Sequence, residues 1–145
     1  MSDITRQRDV PGTPTQVAGL VADLERWPEW FALHKGWIGD IPGTAAPGVK
    51  FKHKVRVLGV PADVTWEVAE LDLPRRVVLK GKGSSRTNMA VDFRVEERDG
   101  GSTISIEAKV GGLILKPVGA QLDSWLDVRI DRTLDSLEGL LAAVA

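Results

Sequence analysis

The apolar residues of this sequence change their spacing at Gly111-Gly112. Over residues 37–110 they alternate with polar residues and are interrupted by Gly, Pro, Asp and Ser, which is typical of antiparallel strands. After Gly111-Gly112 the spacing becomes that of a long C-terminal helix with one apolar side, formed by Leu122, Leu126, Ile130, Thr133, Leu137, Leu140, Leu141 and Val144. A sheet with one apolar face and a helix with one apolar side bury these surfaces against each other, so we expect an α+β fold.

The first strand pairing is predicted from Gly59-Val60, which fits a two-residue turn with glycine in the first central position. In that register Val55 lies opposite Val64 and His53 lies opposite Trp66, so that one face of the hairpin is apolar. Two patterns agree on this register, because the other face then pairs opposite charges. Those charged pairs are Arg56 with Asp63 and Lys52 with Glu67.

A second hairpin is predicted at Asp99-Gly100, a dipeptide that tolerates the positive φ angles of a type I′ turn. A further strand is expected at residues 76–82, and residues 2–10 suit another. We therefore expect an antiparallel sheet of about six to seven strands. The second hairpin pairs Val95 with Ile104, Phe93 with Ile106 and Val91 with Ala108.

Two short helices are predicted after the first strand. Thr13 suits a helix N-cap, with Pro14 in the first helical position. The helical spacing of apolar residues continues to Trp27-Pro28, where we expect the first helix to end. A second helical piece is expected at residues 29–33.

Composition excludes several classes of protein. The length of 145 residues suits a single domain over residues 1–145, and the net charge of −1 gives no attraction to a polyanion. The chain has no cysteine, so disulfides, thiolate metal sites and cysteine nucleophiles are excluded. No apolar run approaches the ~20 residues of a membrane helix, and the N-terminus has no apolar signal core. We expect a cytoplasmic protein without membrane insertion.

Two charged patterns are interpreted as solvated surfaces. The basic stripe of residues 50–56 faces acidic residues on the neighbouring strand, and no exposed aromatic residue alternates with it, so no nucleic-acid partner is expected. The polar side of the C-terminal helix has no histidine at ligand spacing, so we expect no metal site there. The stripe comprises Lys50, Lys52, Lys54 and Arg56, and the helix side carries Asp123, Asp127, Asp131, Asp135 and Glu138 with Arg132.

His53 is the candidate polar group of the interior. Strand alternation places it on the apolar face between Phe51 and Val55. Two roles remain open: a neutral structural histidine with a hydrogen-bond partner, or a residue that contacts a ligand. No carboxylate accompanies it in the sequence pattern, so a catalytic pair cannot be argued, although a lone imidazole can still move a proton.

Two further positions could line a cavity. Thr133 lies within the apolar stripe of the last helix, where its hydroxyl either bonds back to the carbonyl of Arg129 or faces the cavity. An aromatic cluster after the first helices forms either core or one rim of a cavity entrance. This cluster comprises Trp30, Phe31, His34 and Trp37.

The sequence resembles a known family along essentially its whole length. Residues 23–30 combine an aspartate, a Trp-Pro pair and a second tryptophan, and residues 66–68 and 72–79 look like the family's middle strands. With the order of predicted elements, these segments resemble the polyketide cyclase/dehydrase and lipid-transport branch of the START-like superfamily, also labelled SRPBCC. The aromatic cluster and residues 116–119 are similar to a bacterial subset labelled as toxins of toxin–antitoxin pairs.

The resemblance implies a helix-grip fold, in which a curved sheet wraps round the C-terminal helix and encloses a cavity for a small hydrophobic molecule. It implies no cofactor, and no catalytic set transfers to this chain. The alternatives are a cyclase or aromatase with His53 as acid/base, or a toxin with an antitoxin as protein partner. The candidate ligand-binding residues are Phe51, His53, Val55, Trp66, Met89, Val91, Phe93, Trp30, His34, Leu126, Arg129, Ile130 and Thr133.

Overall fold

A computed structural model of the chain describes residues 2–32, 34–39, 43, 45–83, 87–112 and 117–144. Within these residues the strands are β1 (Ser2–Val10), β2 (His34–Ile38), β3 (Lys50–Val57), β4 (Val60–Asp72), β5 (Arg76–Gly83), β6 (Asn88–Arg98) and β7 (Gly101–Gly111). The helices are α1 (Pro14–Ala22), α2 (Trp27–Trp30) and α3 (Gly119–Val144). All neighbouring strands are antiparallel, in the order β1-β7-β6-β5-β4-β3-β2.

The sheet is curved, and its inner face packs on α3 and the two short helices. Along β3 the odd-numbered residues are buried and the even-numbered residues are exposed, which is the alternation of a strand with one face in the core. The helix side of the core is apolar as well, and the expected α+β helix-grip architecture is confirmed. Its fully or almost fully buried residues on α3 are Leu122, Leu126, Ile130, Thr133, Leu134, Leu137 and Leu141.

The second hairpin has the predicted register. Gly100 has a φ of 82° but Asp99 does not have a positive φ, so the turn is not the expected type I′ turn, although the β6–β7 ladder begins beside it. The strands predicted at residues 2–10 and 76–82 are also present, as β1 and β5. The three predicted pairs are confirmed: Val95 with Ile104, Phe93 with Ile106 and Val91 with Ala108.

The predicted register of the first hairpin is wrong by two residues. The turn is formed by Leu58 and Gly59, which both have positive φ (52° and 82°), so glycine occupies the second central position rather than the first. Val55 consequently pairs with Ala62 and not with Val64. A shift of two residues leaves every side chain on its predicted face, so the buried and exposed faces are those expected.

The charge pattern could not reveal this error, because β3 carries a cation at every second position. In the observed register Lys54 lies opposite Asp63 and Lys50 lies opposite Glu67. The Nζ atom of Lys50 is 3.6 Å from a carboxylate oxygen of Glu67. Opposite charges therefore face each other in either register, and the agreement of two patterns was not independent support.

Helix α1 begins where predicted and ends earlier. The backbone N–H of Gln16 donates to Thr13 Oγ1 (3.2 Å), and the Thr13 N–H donates to Gln16 Oε1 (2.9 Å), which together cap the first turn. The helix stops at Ala22 because Asp23 is extended and its carboxylate caps a new 3₁₀ turn over Leu24–Arg26. Pro28 therefore belongs to α2, which begins two residues before the predicted 29–33 piece; Leu33 lies outside the described residues.

The acidic side of α3 is not simply solvated, as predicted; three of its carboxylates bind β1. Arg6 and Arg8 lie on the inner face of this edge strand, opposite Ile106 and Ile104 of β7. The guanidinium of Arg6 donates two hydrogen bonds of 2.7 Å to Asp127. Arg8 donates to Asp131 at 2.7 Å and also to Asp135. We call these contacts the arginine clasp; it joins the first strand to the last helix.

The arginine clasp predicts a loss of stability in acid. Hydrogen bonds from Arg6 hold the pKa of the Asp127 carboxyl below its usual value. A carboxyl with a lowered folded-state pKa stabilises the fold above its unfolded pKa of about 3.9, and this contribution is lost as the pH falls through the folded-state pKa. We therefore expect Asp127→Asn to lower the urea midpoint of unfolding at neutral pH. At about pH 3 the midpoints of the variant and the wild type should differ less.

Asp123→Asn is the matched control, since Asp123 lies one turn earlier on α3 and is exposed without an ion pair in the described structure. It should leave the midpoint unchanged at both pH values. If Asp127→Asn behaved like Asp123→Asn at neutral pH, the arginine clasp would contribute nothing measurable, as is common for exposed ion pairs.

Candidate functional site

Aromatic rings fill the inner side of the sheet next to α2. Trp27 lies at the centre of this group, with its ring centroid 5.4 Å from Trp30, 4.9 Å from Phe31 and 5.0 Å from Phe51. All four side chains are at most 4% exposed. We call Trp27, Trp30, Phe31, Phe51, His53, Trp66 and Phe93 the aromatic group; their rings contact one another across α2, β3, β4 and β6.

His53 and Trp66 form a hydrogen bond inside the aromatic group. The indole Nε1–H of Trp66 donates to Nε2 of His53 at 2.6 Å, and both side chains are fully buried. Because Nε2 accepts, it carries no proton, so the imidazole is the neutral tautomer protonated on Nδ1. The two rings are adjacent as expected, but diagonally across the ladder, since Trp66 pairs with Phe51 and His53 pairs with Val64.

Trp66 is positioned by a glycine on the next strand. Gly81 of β5 pairs with Trp66, and a Cβ atom at Gly81 would lie 2.8 Å from Cε3 of the Trp66 ring. Any larger residue would therefore push the ring away from its present place. The predicted strand at residues 76–82 includes Gly81, but the sequence pattern gave no sign of this role.

Trp30 has a buried donor without an acceptor. Its Nε1–H has no hydrogen-bond partner, although the side chain is 1% exposed. By contrast, the Nε1–H of Trp27 donates to the carbonyl of Val21 at 3.1 Å. A buried donor left unpaired costs about 1–3 kcal/mol, and such donors are rare in native structures, so this one requires an explanation.

Thr133 connects α3 to the chain after α2. Its Oγ1 donates to the carbonyl of Arg129 at 3.0 Å and accepts a hydrogen bond from the backbone N–H of Ala32 at 3.2 Å. The hydroxyl is thus bonded back along the helix, one of the two predicted roles, and also holds the neighbouring segment. Arg129 lies outside the core, with its guanidinium 5.6 Å from the ring centre of Trp125.

Of the remaining candidate residues, His34 and Arg129 are not placed in the core by the structure, whereas the others are. The side chain of His34 lies outside the described part of the structure, whereas Arg129 is half-buried at the surface of α3. The structure brings the other candidates together in one core, with the aliphatic residues on either side of the aromatic group. These aliphatic and thioether residues are Val55, Met89, Val91, Leu126 and Ile130.

The chemistry available inside this core is limited. Among the buried residues of the described structure, His53 is the one ionisable side chain. The same residues contain no group of three or more side chains that could hold a metal ion. A buried imidazole can orient a polar atom or transfer a proton.

Comparison with protein families identifies the group to which this architecture belongs. The model of the family described as "Polyketide cyclase / dehydrase and lipid transport" matches residues 1–142. The chain belongs to this polyketide cyclase/dehydrase and lipid-transport family. The resemblance drawn from residues 23–30 and from the order of the elements is thereby confirmed.

Relatives of this member of the polyketide cyclase/dehydrase and lipid-transport family occur in Mycobacterium tuberculosis. A protein named there as uncharacterized is 31% identical over 121 residues, which are 83% of this chain and 85% of the relative. A protein named there as a toxin is 26% identical over 143 residues, covering 98% of this chain and 99% of the relative. The name of the uncharacterized protein indicates no function. The name of the toxin describes that relative and not this chain.

Solved structures share the fold of this family member at low sequence identity. A START superfamily protein from Mycobacterium smegmatis superposes with a TM-score of 0.75 at 15% identity, over 100% of both chains. A protein from Chromobacterium violaceum gives a TM-score of 0.76 at 14% identity, covering 97% of this chain and 98% of the other. These similarities show the START-like fold.

The outer face of β3 in this family member is basic, and a cleft lies near it. The cations of β3 are exposed, and among the described contacts of residues 50–56 an ion pair is made by Lys50 alone. A cleft of about 500 Å³ lies among residues of β3 to β6. Two other clefts, of about 880 and 310 Å³, have no residue of the aromatic group in their lining. The 500 Å³ cleft is lined by Lys50, Thr65, Trp66, Glu67, Lys80, Gly81, Lys82, Asn88, Met89 and Ala90.

The sequence interpretation missed Trp27, the centre of the aromatic group. It was assigned only to the end of the first helix. A signal was present, because Trp27, Trp30 and Phe31 have the i, i+3, i+4 spacing of one helical face.

No helix in the described part of the chain is both long and apolar enough to cross a membrane.

Proposed function

We propose that this protein binds a small, mainly apolar molecule between the inner face of the sheet and α3, beside His53. The observation that carries the proposal is the fully buried His53–Trp66 hydrogen bond, which places polar atoms inside an otherwise apolar group of rings. A core built for stability alone gains little from such a pair, whereas binding sites combine apolar walls with a few placed polar groups. Membership of a family described by polyketide chemistry and lipid transport supports this function.

Binding at this place requires α2 to move. The ring centroids of Trp27 and Phe31 lie 6.1 and 5.8 Å from the ring centroid of His53. These two rings occupy the space that a ligand beside His53 would take. Helix α2 has only four residues, and one tie to α3 is the hydrogen bond from Ala32 to Thr133. A shift of this short segment exchanges ring–ring contacts for ring–ligand contacts, so ligand binding should change the emission of the buried tryptophans.

The test is a titration with the neutral fluorescent probe phenylnaphthylamine, together with native mass spectrometry of the protein as purified. We expect the probe to bind, and His53→Ala to weaken its binding by about tenfold, because the ligand loses its polar neighbour and Trp66 loses its acceptor. The same substitution should cost about 1–3 kcal/mol of the free energy of unfolding.

Ile104→Val is the matched control for lost stability. Ile104 is fully buried on β7, opposite Val95 near the Asp99-Gly100 turn, and does not belong to the aromatic group. This variant should lose about 1 kcal/mol while keeping its probe affinity. Equal affinity in wild type and His53→Ala would reject the role of His53. The absence of probe binding and of any co-purifying apolar molecule would reject the proposed function.

A toxin is the second candidate, favoured by the match of the toxin-named relative over nearly all of both chains. A nucleolytic toxin requires a catalytic pair, and the sequence pattern alone does not identify one.

A further inference from the structure

The three fully buried tryptophans differ in what their indole N–H groups bind. Trp27 donates to the carbonyl of Val21, and Trp66 donates to His53. Trp30 is buried to the same degree and donates to nothing. The unpaired group is therefore particular to position 30 and does not reflect a general lack of acceptors around these rings.

The surroundings of Trp30 contain ring surfaces. Its ring stacks on Phe31 with a centroid distance of 5.6 Å and an interplanar angle of 11°. Phe93 meets it edge to face at 5.6 Å and 87°, and Trp27 lies at 5.4 Å. Aromatic rings of this kind offer a ligand stacking surface and no strong acceptor, so the Nε1–H of Trp30 is a single polar contact in an apolar setting.

We propose that Trp30 Nε1 donates a hydrogen bond to an oxygen atom of the bound molecule. The ligand is then an apolar molecule with an acceptor oxygen, such as a ketone or another carbonyl compound, rather than a pure hydrocarbon. This inference rests on the proposed function and narrows its ligand class. An indole N–H donates and cannot accept, so the proposal excludes at this point a ligand group that can only donate, such as an ammonium group.

The experiment compares two probes of nearly equal shape, acetylnaphthalene and ethylnaphthalene substituted at the same ring position. Each is titrated against phenylnaphthylamine bound to wild type. We expect acetylnaphthalene to bind about threefold to tenfold more tightly, the ratio that one neutral hydrogen bond provides. Trp30→Phe should remove this preference by weakening acetylnaphthalene alone, because phenylalanine keeps a ring and lacks the donor.

Trp27→Phe is the control. It replaces a neighbouring indole by a smaller ring, and the N–H group that is lost already donates to the carbonyl of Val21 within the protein. It should change the affinities of both probes by the same factor. If wild type bound both probes equally, or if Trp30→Phe weakened both equally, the donor role of Trp30 would be rejected while hydrophobic binding stood. If neither probe displaced phenylnaphthylamine or bound directly, the proposed function itself would be rejected. The wild-type ratio remains decisive even if Trp30→Phe folds poorly.

Discussion

A chain that ends at Gly119 will not unfold cooperatively. Removal of α3 exposes the inner face of the sheet along its length and removes the partner of the arginine clasp. Each fully buried Leu or Ile side chain contributes about 1.5–3 kcal/mol, so the lost set is worth roughly 10 kcal/mol or more, as much as the whole net stability of about 5–15 kcal/mol. The deleted core residues are Leu122, Leu126, Ile130, Leu134, Leu137 and Leu141. Near-UV circular dichroism and a urea titration measure the outcome.

A chain that ends at Leu141 is the control, because Ala142 and Ala143 are exposed. It should unfold cooperatively, like the full chain. Cooperative unfolding of the chain that ends at Gly119 would contradict the proposal that residues 1–145 form a single unit completed by α3. Loss of near-UV signal with retained far-UV signal in that shorter chain would support it.

Replacement of Gly81 by alanine will damage both the fold and the site. The new Cβ would lie 2.8 and 2.9 Å from two carbons of the Trp66 ring and 3.0 Å from a methyl carbon of Val64, which are both fully buried. A shift of the ring would disturb its hydrogen bond to His53, to which its N–H donates. We expect a loss of about 2–4 kcal/mol in the free energy of unfolding, from overpacking together with the broken hydrogen bond. The probe affinity of the remaining folded protein should fall as well.

Gly36→Ala provides the comparison, since a Cβ at this glycine in the edge strand β2 meets nothing within 4 Å. Its stability should stay within about 1 kcal/mol of wild type. If Gly81→Ala were equally mild, the Trp66 ring would have room to move, and the close packing described around His53 would be incorrect.

The two hairpins show how far turn chemistry can be used in prediction. Asp99-Gly100 located its turn correctly although the turn type differs from the expected one, and the register was correct in every predicted pair. Gly59 fits either central position of a two-residue turn, and Leu58 at positive φ is an uncommon choice that the sequence does not announce. The repeat of cations along β3 then supported both registers equally. The error of two residues changed the cross-strand partner of each residue in the first hairpin, but each side chain stayed on its predicted face of the sheet.

The candidate site was predictable as a face but not as a set of contacts. Strand alternation alone placed His53 inside, because this requires only the period of two along β3. The positions of Trp27 and Trp30 depend on Asp23, which ends α1 early and redirects the chain into α2. The arginine clasp was missed for a similar reason. Two arginines on one face of β1 and aspartates four residues apart on α3 are complementary only once the two elements are known to pack together.

The arginine clasp and the position of β1 also determine when the chain can finish folding. β1 is synthesised before the other strands of this sheet, yet its ladder partner is β7, with Ser2 opposite Val110, and its arginines bind α3. The residues between β1 and β7 must therefore leave the ribosome before this strand has a partner. Closing so long a loop costs entropy before any contact is gained, so we expect β1 to dock late and the unpaired edge of β7 to be the surface most exposed to misassembly during synthesis.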